Sequence, residues 1–266
     1  MDAPTKLHSF TFVSCGTRTG CELCSLRELC LPTNLEQNQL VRFDELIQHK
    51  RHVRRGGYIF RAGAPLRSLF AIRAGSFKAS VLHDDGREQV TGFYMAGEIM
   101  GLDGISSDIH TVNAVALEDS ELCELPYDEL ERLVRDIPSL QQHFHRIMSR
   151  EIVRDHGVML LLGAMSAEER LATFLLQLSK RYLARGYSAS IFCLRMSRGE
   201  IGSYLGLTIE TVSRVFSRLQ EQGFINVQKR DICLKDIPGL RKLIGHNDAG
   251  RRDLATRPAP LLHAVA

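Results

Sequence analysis

Residues 197–222 read SRGEIGSYLGLTIETVSRVFSRLQEQ, and this stretch determines the architecture of the carboxyl-terminal part of the chain. Ser197 and Glu200 form a capping box that starts a short helix, and Gly206 interrupts that helix. Thr208 can then cap a second helix. The apolar residues of the second helix recur at intervals of three and four: Val212, Val215, Phe216 and Leu219. Two short helices joined by a glycine-containing turn are typical of a helix-turn-helix.

The opposite face of the second helix carries side chains suited to the base edges of DNA. Arg214 can donate two hydrogen bonds to guanine, and Glu210, four residues earlier on the same face, can accept one from cytosine. Ser213 can reach a base edge or a phosphate, and we assign Thr208 and Arg218 to the same interface. The alternative interpretation of this face is an ordinary solvated helix with a Glu–Arg pair.

The flanking segments complete a winged helix-turn-helix domain over residues 166–245. Ser166 and Glu169 form a capping box for a preceding helix. After the second helix, two short β-rich segments flank residues 229–230, Lys-Arg, and predict a hairpin wing whose basic tip can contact phosphate. Residues 195–230 contain six Lys or Arg against three Asp or Glu, so this segment alone carries the net charge of +3 found for the whole chain.

A long helix is predicted upstream of this domain, in a dimerisation segment over residues 139–165. One stripe of this helix recurs at alternating steps of four and three residues, as in the seam of a two-stranded coiled coil: Met148, Ile152, Asp155, Met159 and Leu162. In a symmetric dimer Asp155 would face its own copy, and opposed carboxylates repel. We therefore expect a homodimer of limited stability, the alternative being an exposed aspartate at the edge of the seam.

Turn signals containing Gly, Pro or Asp recur about every ten residues between positions 53 and 116. They separate short β-rich segments, which predict strands at residues 58–60, 69–72, 77–82, 90–94 and 112–116. Short strands at this spacing indicate an antiparallel β-roll, or jelly roll, which we assign to a sensor domain over residues 31–138. A short helix is predicted to begin near Thr33 and Asn34.

The amino-terminal segment, residues 1–30, is organised by cysteines rather than by hydrophobic periodicity. Cys21, Cys24 and Cys30 follow the spacing C-x2-C-x5-C, which lets one loop turn three thiols toward a common point. A bound metal or cluster needs a fourth ligand, and Cys123 is the candidate. Zinc and iron–sulfur clusters both accept four thiolates, so the spacing leaves the choice between them open.

The remaining cysteines are predicted to have other roles. Cys193 and Cys233 lie in β-rich segments, and we expect them to be small apolar strand residues. Cys15 is close to the cysteine cluster but outside its spacing, and we expect it not to be a ligand.

The composition of the whole chain narrows the function further. With 266 residues, 44% hydrophobic and 24% charged, the chain is long enough for two domains and ordinary for a soluble protein. Its apolar runs are far shorter than the ~18 residues of a membrane span, and its first residues do not resemble a secretion signal. We expect a cytoplasmic protein without membrane contact.

No glycine-rich nucleotide loop or nucleophile–base motif indicates an enzyme. The tail, residues 246–266, is predicted to be disordered.

Taken together, these features resemble the CRP/FNR transcription regulators over residues 20–245, and the cysteines resemble the FNR branch, including the Anr-type regulators. The segments that carry the resemblance are FRAG (60–63), LFAIRAG (69–75), EQVTGF (88–93), AEER (167–170) and YLGLTIETVSR (204–214). The resemblance implies an α+β protein in which a cysteine-rich segment, a β-roll, a long dimerisation helix and a winged helix-turn-helix follow one another.

The resemblance also implies the function of the predicted sites. It implies that the cysteines at 21, 24, 30 and 123 hold an oxygen-labile 4Fe–4S cluster. It implies that the residues at 210, 213 and 214 read a palindrome of TTGAT and its inverted partner, in the control of anaerobic genes. A contact with RNA polymerase is implied for one surface turn: Asp84, Asp85, Gly86 and Arg87.

The CRP branch of the same family is the first rival to this interpretation. Its members bind a cyclic nucleotide by pairing its phosphate with an arginine shortly after a Gly-Glu pair. Gly97-Glu98 is present here, but residues 98–121 contain no Arg or Lys, and a buried phosphate without a cation is costly. We therefore expect no cyclic nucleotide. Two further hypotheses are a zinc-stabilised regulator that ignores oxygen and a four-thiolate electron-transfer protein.

Overall fold

The structure is a computed structural model, and it describes residues 20–21, 24–32, 34–47 and 50–245. The predictions for Cys15 and for the tail at residues 246–266 lie outside these residues. Within them the fold is α+β, as predicted. The described residues begin with the segment that carries Cys21, Cys24 and Cys30, which we call the cysteine loop. It is followed by a domain of two β-sheets, one long helix and a helix-turn-helix domain.

The cysteine loop leads through two short helices to the β-sheets. Helix α1 covers Arg27–Cys30, and helix α2 covers Gln37–Leu46. Glu36 caps α2, and its backbone N–H donates to the Gln39 side chain at 3.1 Å in a capping box. The prediction that this helix begins near Thr33 and Asn34 is therefore wrong, because the capping pair places the first turn later.

The β domain contains two antiparallel four-stranded sheets, ordered β1-β8-β3-β6 and β2-β7-β4-β5. The strands are β1 Lys50–Val53, β2 Tyr58–Phe60, β3 Ser68–Ala74, β4 Ser76–Leu82, β5 Glu88–Met95, β6 Ile99–Met100, β7 Asn113–Ala116 and β8 Ser120–Pro126. Side chains from both sheets share one core, which includes Ile72, Phe77, Ala114 and Leu122. The two sheets therefore pack face to face as a β-roll.

All five predicted strands are present, but three further strands and one helix of the β domain were not predicted, and neither were helices α1 and, in the carboxyl-terminal domain, Ile237–Gly245. The additional strands are β1, β6 and β8, and the additional helix is α3, Tyr127–Asp136. A 3-10 turn at Leu102–Gly104 follows β6. Of these elements β8 matters most for the candidate site, because it carries Cys123.

The long helix α4 covers Pro138–Ala164 and leads into the carboxyl-terminal domain. The elements of that domain are α5 Ala167–Leu183, β9 Ile191–Cys193, α6 Arg198–Leu205, α7 Ile209–Glu221, β10 Ile225–Gln228, β11 Asp231–Leu234 and α8 Ile237–Gly245. The capping boxes predicted at Ser166 and Ser197 are both formed. Gly206 ends α6 with a φ of 64°, and strands β10 and β11 form the wing. Helices long and apolar enough to cross a membrane do not occur in the described parts of the chain.

Cys193 and Cys233 lie in strands, as predicted, but they do not belong to the core. Both are half-buried, whereas their neighbours Phe192 and Ile232 are buried. Because successive strand residues point to opposite faces, these two cysteines lie on the outer face of the small sheet.

Leu122 joins β8 to the core, and this position gives a prediction for stability. Leu122 is fully buried, so Leu122→Ala is expected to lower the free energy of unfolding by about 2–5 kcal/mol through lost burial and a cavity. Leu82→Ala is the matched control, because Leu82 is 60% exposed at the end of β4 and should cost less than about 0.5 kcal/mol. Denaturant unfolding measures both, and equal losses would contradict the assigned core.

Candidate metal centre and nucleic-acid interface

The four predicted ligand cysteines meet at one small cavity. Cys21, Cys24, Cys30 and Cys123 all line this cavity, whose volume is about 40 Å³. Apolar side chains form much of the remaining wall: Leu26, Leu31, Phe43, Ile47, Ile99 and Leu125. All four cysteines are free thiols and half-buried. The structure thus brings Cys123 to the three cysteines of the amino-terminal loop.

Backbone hydrogen bonds hold the cysteine loop in tight turns before and within α1. The Cys24 N–H donates to the Cys21 carbonyl at 3.3 Å, and the Arg27 N–H donates to the Cys24 carbonyl at 3.0 Å. The Cys21 N–H donates to the Asp44 carboxylate at 2.6 Å, which ties the start of the loop to α2. Asp44 was not predicted as part of the site, because one acidic residue on a helix is not a distinguishing signal.

Strand β8 holds Cys123 in place because β8 is paired on both sides. Cys123 lies opposite Lys50 of β1 and opposite Ala71 of β3. Burial raises the pKa of the Cys123 thiol, while the positive charges of Arg73 and Lys50 partly oppose this rise. The fourth thiol is therefore fixed by the sheet, and it lies among cations.

Burial also raises the pKa values of two thiols in the loop. The pKa of Cys30 is raised to about 12, first by burial and then by the neighbouring thiols of Cys24 and Cys123. The pKa of Cys21 is raised by burial and further by a hydrogen bond with the Asp44 carboxylate. Cys21, Cys30 and Cys123 are therefore protonated at neutral pH in the metal-free chain. Their binding of a metal as thiolates must release protons.

The cysteine loop packs against the first turns of the long helix α4. Residues of the loop, α2, α3 and α4 share one buried apolar cluster, and three of the ligand cysteines border it. This cluster includes Leu31, Leu35, Leu40, Leu133, Ile137 and Leu140. His143 of α4 is also buried, and it lies next to the Cys30 backbone. A displacement of the loop therefore changes the packing of α4.

Most of the predicted seam of α4 is uncovered within one chain. Ile152 is 55% exposed, Met159 is 68% exposed and Leu162 is 37% exposed. Met148 is half-buried, and Asp155 is exposed between these apolar residues. We call these five residues the helix stripe. Apolar side chains aligned along one helix face are suited to packing against another helix.

A larger cavity of about 500 Å³ lies between the β domain and α4. Apolar side chains from both elements line it, among them Tyr94, Met100 and Ile152. Three acidic residues also line it: Asp103, Glu151 and Asp155. Lys and Arg do not occur among the described residues that form its wall. The cavity is therefore apolar and acidic in character.

Helix α7 presents the predicted base-reading residues to solvent, since its apolar face is buried against the domain core. The Thr208 side chain accepts from the Thr211 N–H at 3.2 Å, as expected of an N-cap. The pKa of Glu210 is lowered by its own backbone N–H, then by Thr208 and then by the charge of Arg214. Glu210 is therefore ionised at neutral pH and can accept hydrogen bonds from a base.

Two other residues of α7 make contacts within the chain. The Ser213 hydroxyl donates to the Ile209 carbonyl at 2.8 Å, which leaves its oxygen free to accept a further hydrogen bond. Arg218 forms an ion pair with Glu168 of α5. Arg218 is exposed, so this pair is in reach of water and is weak.

The turn predicted to contact RNA polymerase is an exposed link between β4 and β5 at residues 84–87. Gly86 has a φ of 82°, which suits glycine at this point of the turn. The Asp85 carboxylate accepts from the Arg87 backbone N–H at 3.0 Å and from the Arg87 guanidinium at 2.7 Å. These hydrogen bonds lower the pKa of Asp85, so the turn is a preformed, charged feature of the surface.

Comparison with known proteins identifies relatives over most of the chain. Residues 169–243 match the Crp-like helix-turn-helix domain, and residues 50–136 match the cyclic nucleotide-binding domain. The transcriptional regulatory protein btr of Bordetella pertussis is 48% identical over 85% of this chain and 93% of its own length. The fumarate and nitrate reduction regulatory protein of Escherichia coli (strain K12) is 42% identical over 87% of this chain and 92% of its own length.

A solved structure is also similar to this chain over most of its length. FixK2 from Bradyrhizobium japonicum matches with a TM-score of 0.68 and 31% sequence identity. The match covers 73% of this chain and 96% of FixK2.

Gly97 offers a test of how the β domain holds the cysteine loop. Gly97 has a φ of 85°, and a Cβ added there would lie 2.6 Å from Cδ1 of Leu29 in the loop. Gly97→Ala is therefore expected to displace Leu29 and expose the neighbouring Cys30. Alkylation of the four site thiols in metal-free protein, followed by mass spectrometry, should then be several-fold faster than in the parent.

Gly63→Ala is the matched control for Gly97→Ala. Gly63 has a similar φ of 83°, but an added Cβ would meet nothing within 4 Å. This variant carries the same backbone strain without the clash, so its thiols should react at the parent rate. Equal acceleration in both variants would show that the Leu29 contact does not protect the thiols.

Proposed function

Because the chain belongs to the CRP/FNR family of transcription regulators, in its FNR-type branch, we propose that it senses oxygen and regulates genes of anaerobic metabolism. It binds DNA through a Crp-like helix-turn-helix and is not an enzyme. In this proposal a 4Fe–4S cluster on four cysteines promotes dimerisation and binding to a TTGAT-NNNN-ATCAA type palindrome, and oxygen reverses both. We place this activity in the cytoplasm.

The observation that carries the proposal is the meeting of four thiols from two distant segments at one cavity. Four thiolates can hold either a zinc ion or a 4Fe–4S cluster. We propose the cluster because the four cysteines resemble those of the FNR branch.

The charges around the cavity also suit a cluster. Arg73 and Lys50 act on Cys123, and Arg185 acts on Cys30, in each case favouring the thiolate. Four thiolates around an iron–sulfur core carry a net negative charge. Burying this charge is costly unless cations lie nearby, and these three side chains supply them.

When bound, the cluster would supply an oxygen-labile link between the loop cysteines and Cys123. The remaining steps belong to the chain itself. The anchored loop shares one apolar cluster with Ile137 and Leu140, and the Cys30 backbone lies next to His143. In this way the loop sets the position of α4 and presents the helix stripe to a second copy. Release of the loop removes this support, and the dimer weakens.

Two copies related by a two-fold axis would place their α7 helices in successive major grooves, about one helical turn or ~34 Å apart. Arg214 would then donate to guanine, and the ionised Glu210 would accept from cytosine. Ser213 contributes a hydroxyl, and Thr208 and Arg218 border the same face. The charged turn at residues 84–87 is the proposed contact with RNA polymerase.

We further propose that the β domain does not bind a cyclic nucleotide, although it matches the cyclic nucleotide-binding domain. The cavity between the β domain and α4 is lined by Asp103, Glu151 and Asp155 but by no Lys or Arg among the described residues. A phosphate in this cavity would be repelled by the carboxylates and would have no cationic partner there. The arginines near the Gly97-Glu98 pair are already bound to Glu98.

The central prediction concerns oxygen, iron and operator binding. Anaerobically purified protein is expected to show the visible absorption of a 4Fe–4S cluster and to shift a TTGAT palindrome in a gel. Exposure to air should remove both. Cys123→Ala should also abolish both, because it removes the thiol that joins the loop to β8. Cys193→Ala is the matched control, since Cys193 is a half-buried strand cysteine outside the site.

Each contrary outcome of this experiment indicates a different function for the chain. Full operator affinity in aerated, iron-free protein would contradict the oxygen switch. Bound zinc without a visible absorption band would indicate the zinc-stabilised regulator. A cluster in a protein that does not bind the palindrome would indicate electron transfer.

The helix stripe gives a separate prediction for the dimer. Two opposed carboxylates 4 Å apart repel by about 1 kcal/mol in water, and by more where the helices exclude water. Asp155→Ala is therefore expected to lower the dimer dissociation constant in air by about fivefold or more. Asp84→Ala removes one negative charge from the exposed turn between β4 and β5, outside the helix stripe, and should leave the constant unchanged. Analytical ultracentrifugation in air measures both constants. If Asp155→Ala has the same dissociation constant as the parent, repulsion at the stripe is refuted.

A further inference from the structure

The carboxylate of Glu98 is half-buried between the β domain and the carboxyl-terminal domain, where it binds Arg181 of α5 and Arg185, two residues past the end of α5. Its oxygens accept from Arg181 at 2.6 and 3.0 Å and from Arg185 at 2.6 Å. Arg154 of α4 lies at 4.0 Å. Burial alone would raise the pKa of Glu98, but the arginines outweigh burial and keep the pKa below its usual value. Glu98 is therefore an ionised group that joins two domains.

The same arginines also hold the backbone of the turn that carries Glu98. The Arg181 guanidinium donates to the Phe93 carbonyl at 2.7 Å, and the Arg185 guanidinium donates to the Ala96 carbonyl. The Met95 N–H donates to Glu98 itself at 3.2 Å. Arg181 and Arg185 therefore bind the backbone at the turn between β5 and β6. We call this turn, residues 95–98, the β5–β6 turn.

The other side of the β5–β6 turn touches the cysteine loop. Gly97 packs so closely on Leu29 that a Cβ would lie 2.6 Å from the Leu29 side chain. Arg185, which binds Glu98, also lies near the Cys30 side chain. The β5–β6 turn therefore meets the cysteine loop at Leu29, next to Cys30.

We propose that the β5–β6 turn, with Arg181 and Arg185, transmits the state of the cysteine site to the DNA-binding domain of the same chain. This relay rests on the metal centre proposed above, and it is separate from the helix stripe. While the centre is intact, Leu29 and Cys30 support the turn, Glu98 holds both arginines, and α5 is fixed against the β domain. When the centre is lost, the turn loses support and α5 becomes freer to move.

A second contact between the two domains provides a control. Lys78 of β4 lies 2.9 Å from Glu88 and 3.2 Å from Glu200 of α6. Ser203 of α6 also bonds the backbone of β5, accepting from the Val90 N–H at 2.8 Å. The cysteine loop takes no part in these bonds. Lys78→Met thus weakens the attachment of the domain without touching the relay.

Hydrogen–deuterium exchange of the full chain, with the cluster intact and after its removal by a chelator, tests the relay. In the parent, cluster removal is expected to accelerate exchange at the end of α5, residues 178–187, by about fivefold or more. Glu98→Gln should show the fast rate in both states, because the neutral amide cannot hold two arginines. Glu98→Asp keeps the charge and should restore a cluster-dependent difference. Lys78→Met should keep this difference as well.

The outcomes distinguish this relay from the metal centre itself. If cluster removal accelerates exchange in the cysteine loop but not at residues 178–187, the centre stands and the relay is refuted. If Glu98→Gln keeps the full cluster-dependent difference, the relay does not pass through Glu98. If iron analysis finds no cluster in anaerobic protein, the metal centre and the relay both fail.

Discussion

Strand β8 pairs with β1 on one side and with β3 on the other, and the proposed metal centre depends on this pairing. It fixes Cys123 in a sheet whose inner face is fully packed, whereas the other three thiols belong to a short loop. The loop is held by its own turns and by the hydrogen bond from Cys21 to Asp44. With a fourth ligand in a rigid strand, a bound centre would transfer the order of the sheet to the loop.

In the proposed mechanism the loop affects more than its own shape, because two different elements pack against it. Its apolar residues and the Cys30 backbone meet α4 on one side, and Leu29 meets the β5–β6 turn on the other. The first contact is mostly apolar, and the second leads to a buried ion cluster around Glu98. Buried ion clusters add little net stability, but breaking one is costly. Such a cluster suits the fixing of a domain orientation better than the strengthening of a fold.

The sequence predicts the parts of this fold whose signals are local. Capping boxes, a glycine stop and apolar spacing define α5, α6 and α7, and regular turns define the five strands. Strand β8 was not predicted, because its charged residues Glu121 and Glu124 mask the alternation around Cys123. Strand β1 was not predicted because it is a basic edge strand, with one buried residue, Val53. Glu98 was noticed only as half of a Gly-Glu pair, since its arginines lie more than eighty residues away.

In the proposed mechanism, the energies at the helix stripe favour control through the position of α4. Burying one Ile, Leu or Met side chain contributes about 1.5–3 kcal/mol, and the stripe presents three such exposed residues on each chain. Burial of well-aligned stripes would therefore stabilise the dimer by more than the repulsion at Asp155 destabilises it. Dimerisation then depends on whether α4 is held so that the stripes align. A coupling of ~1–3 kcal/mol is sufficient for several-fold to hundredfold control. A small shift of the α4 turns that contact the cysteine loop can supply it, because packed interfaces lose contacts steeply as side chains separate.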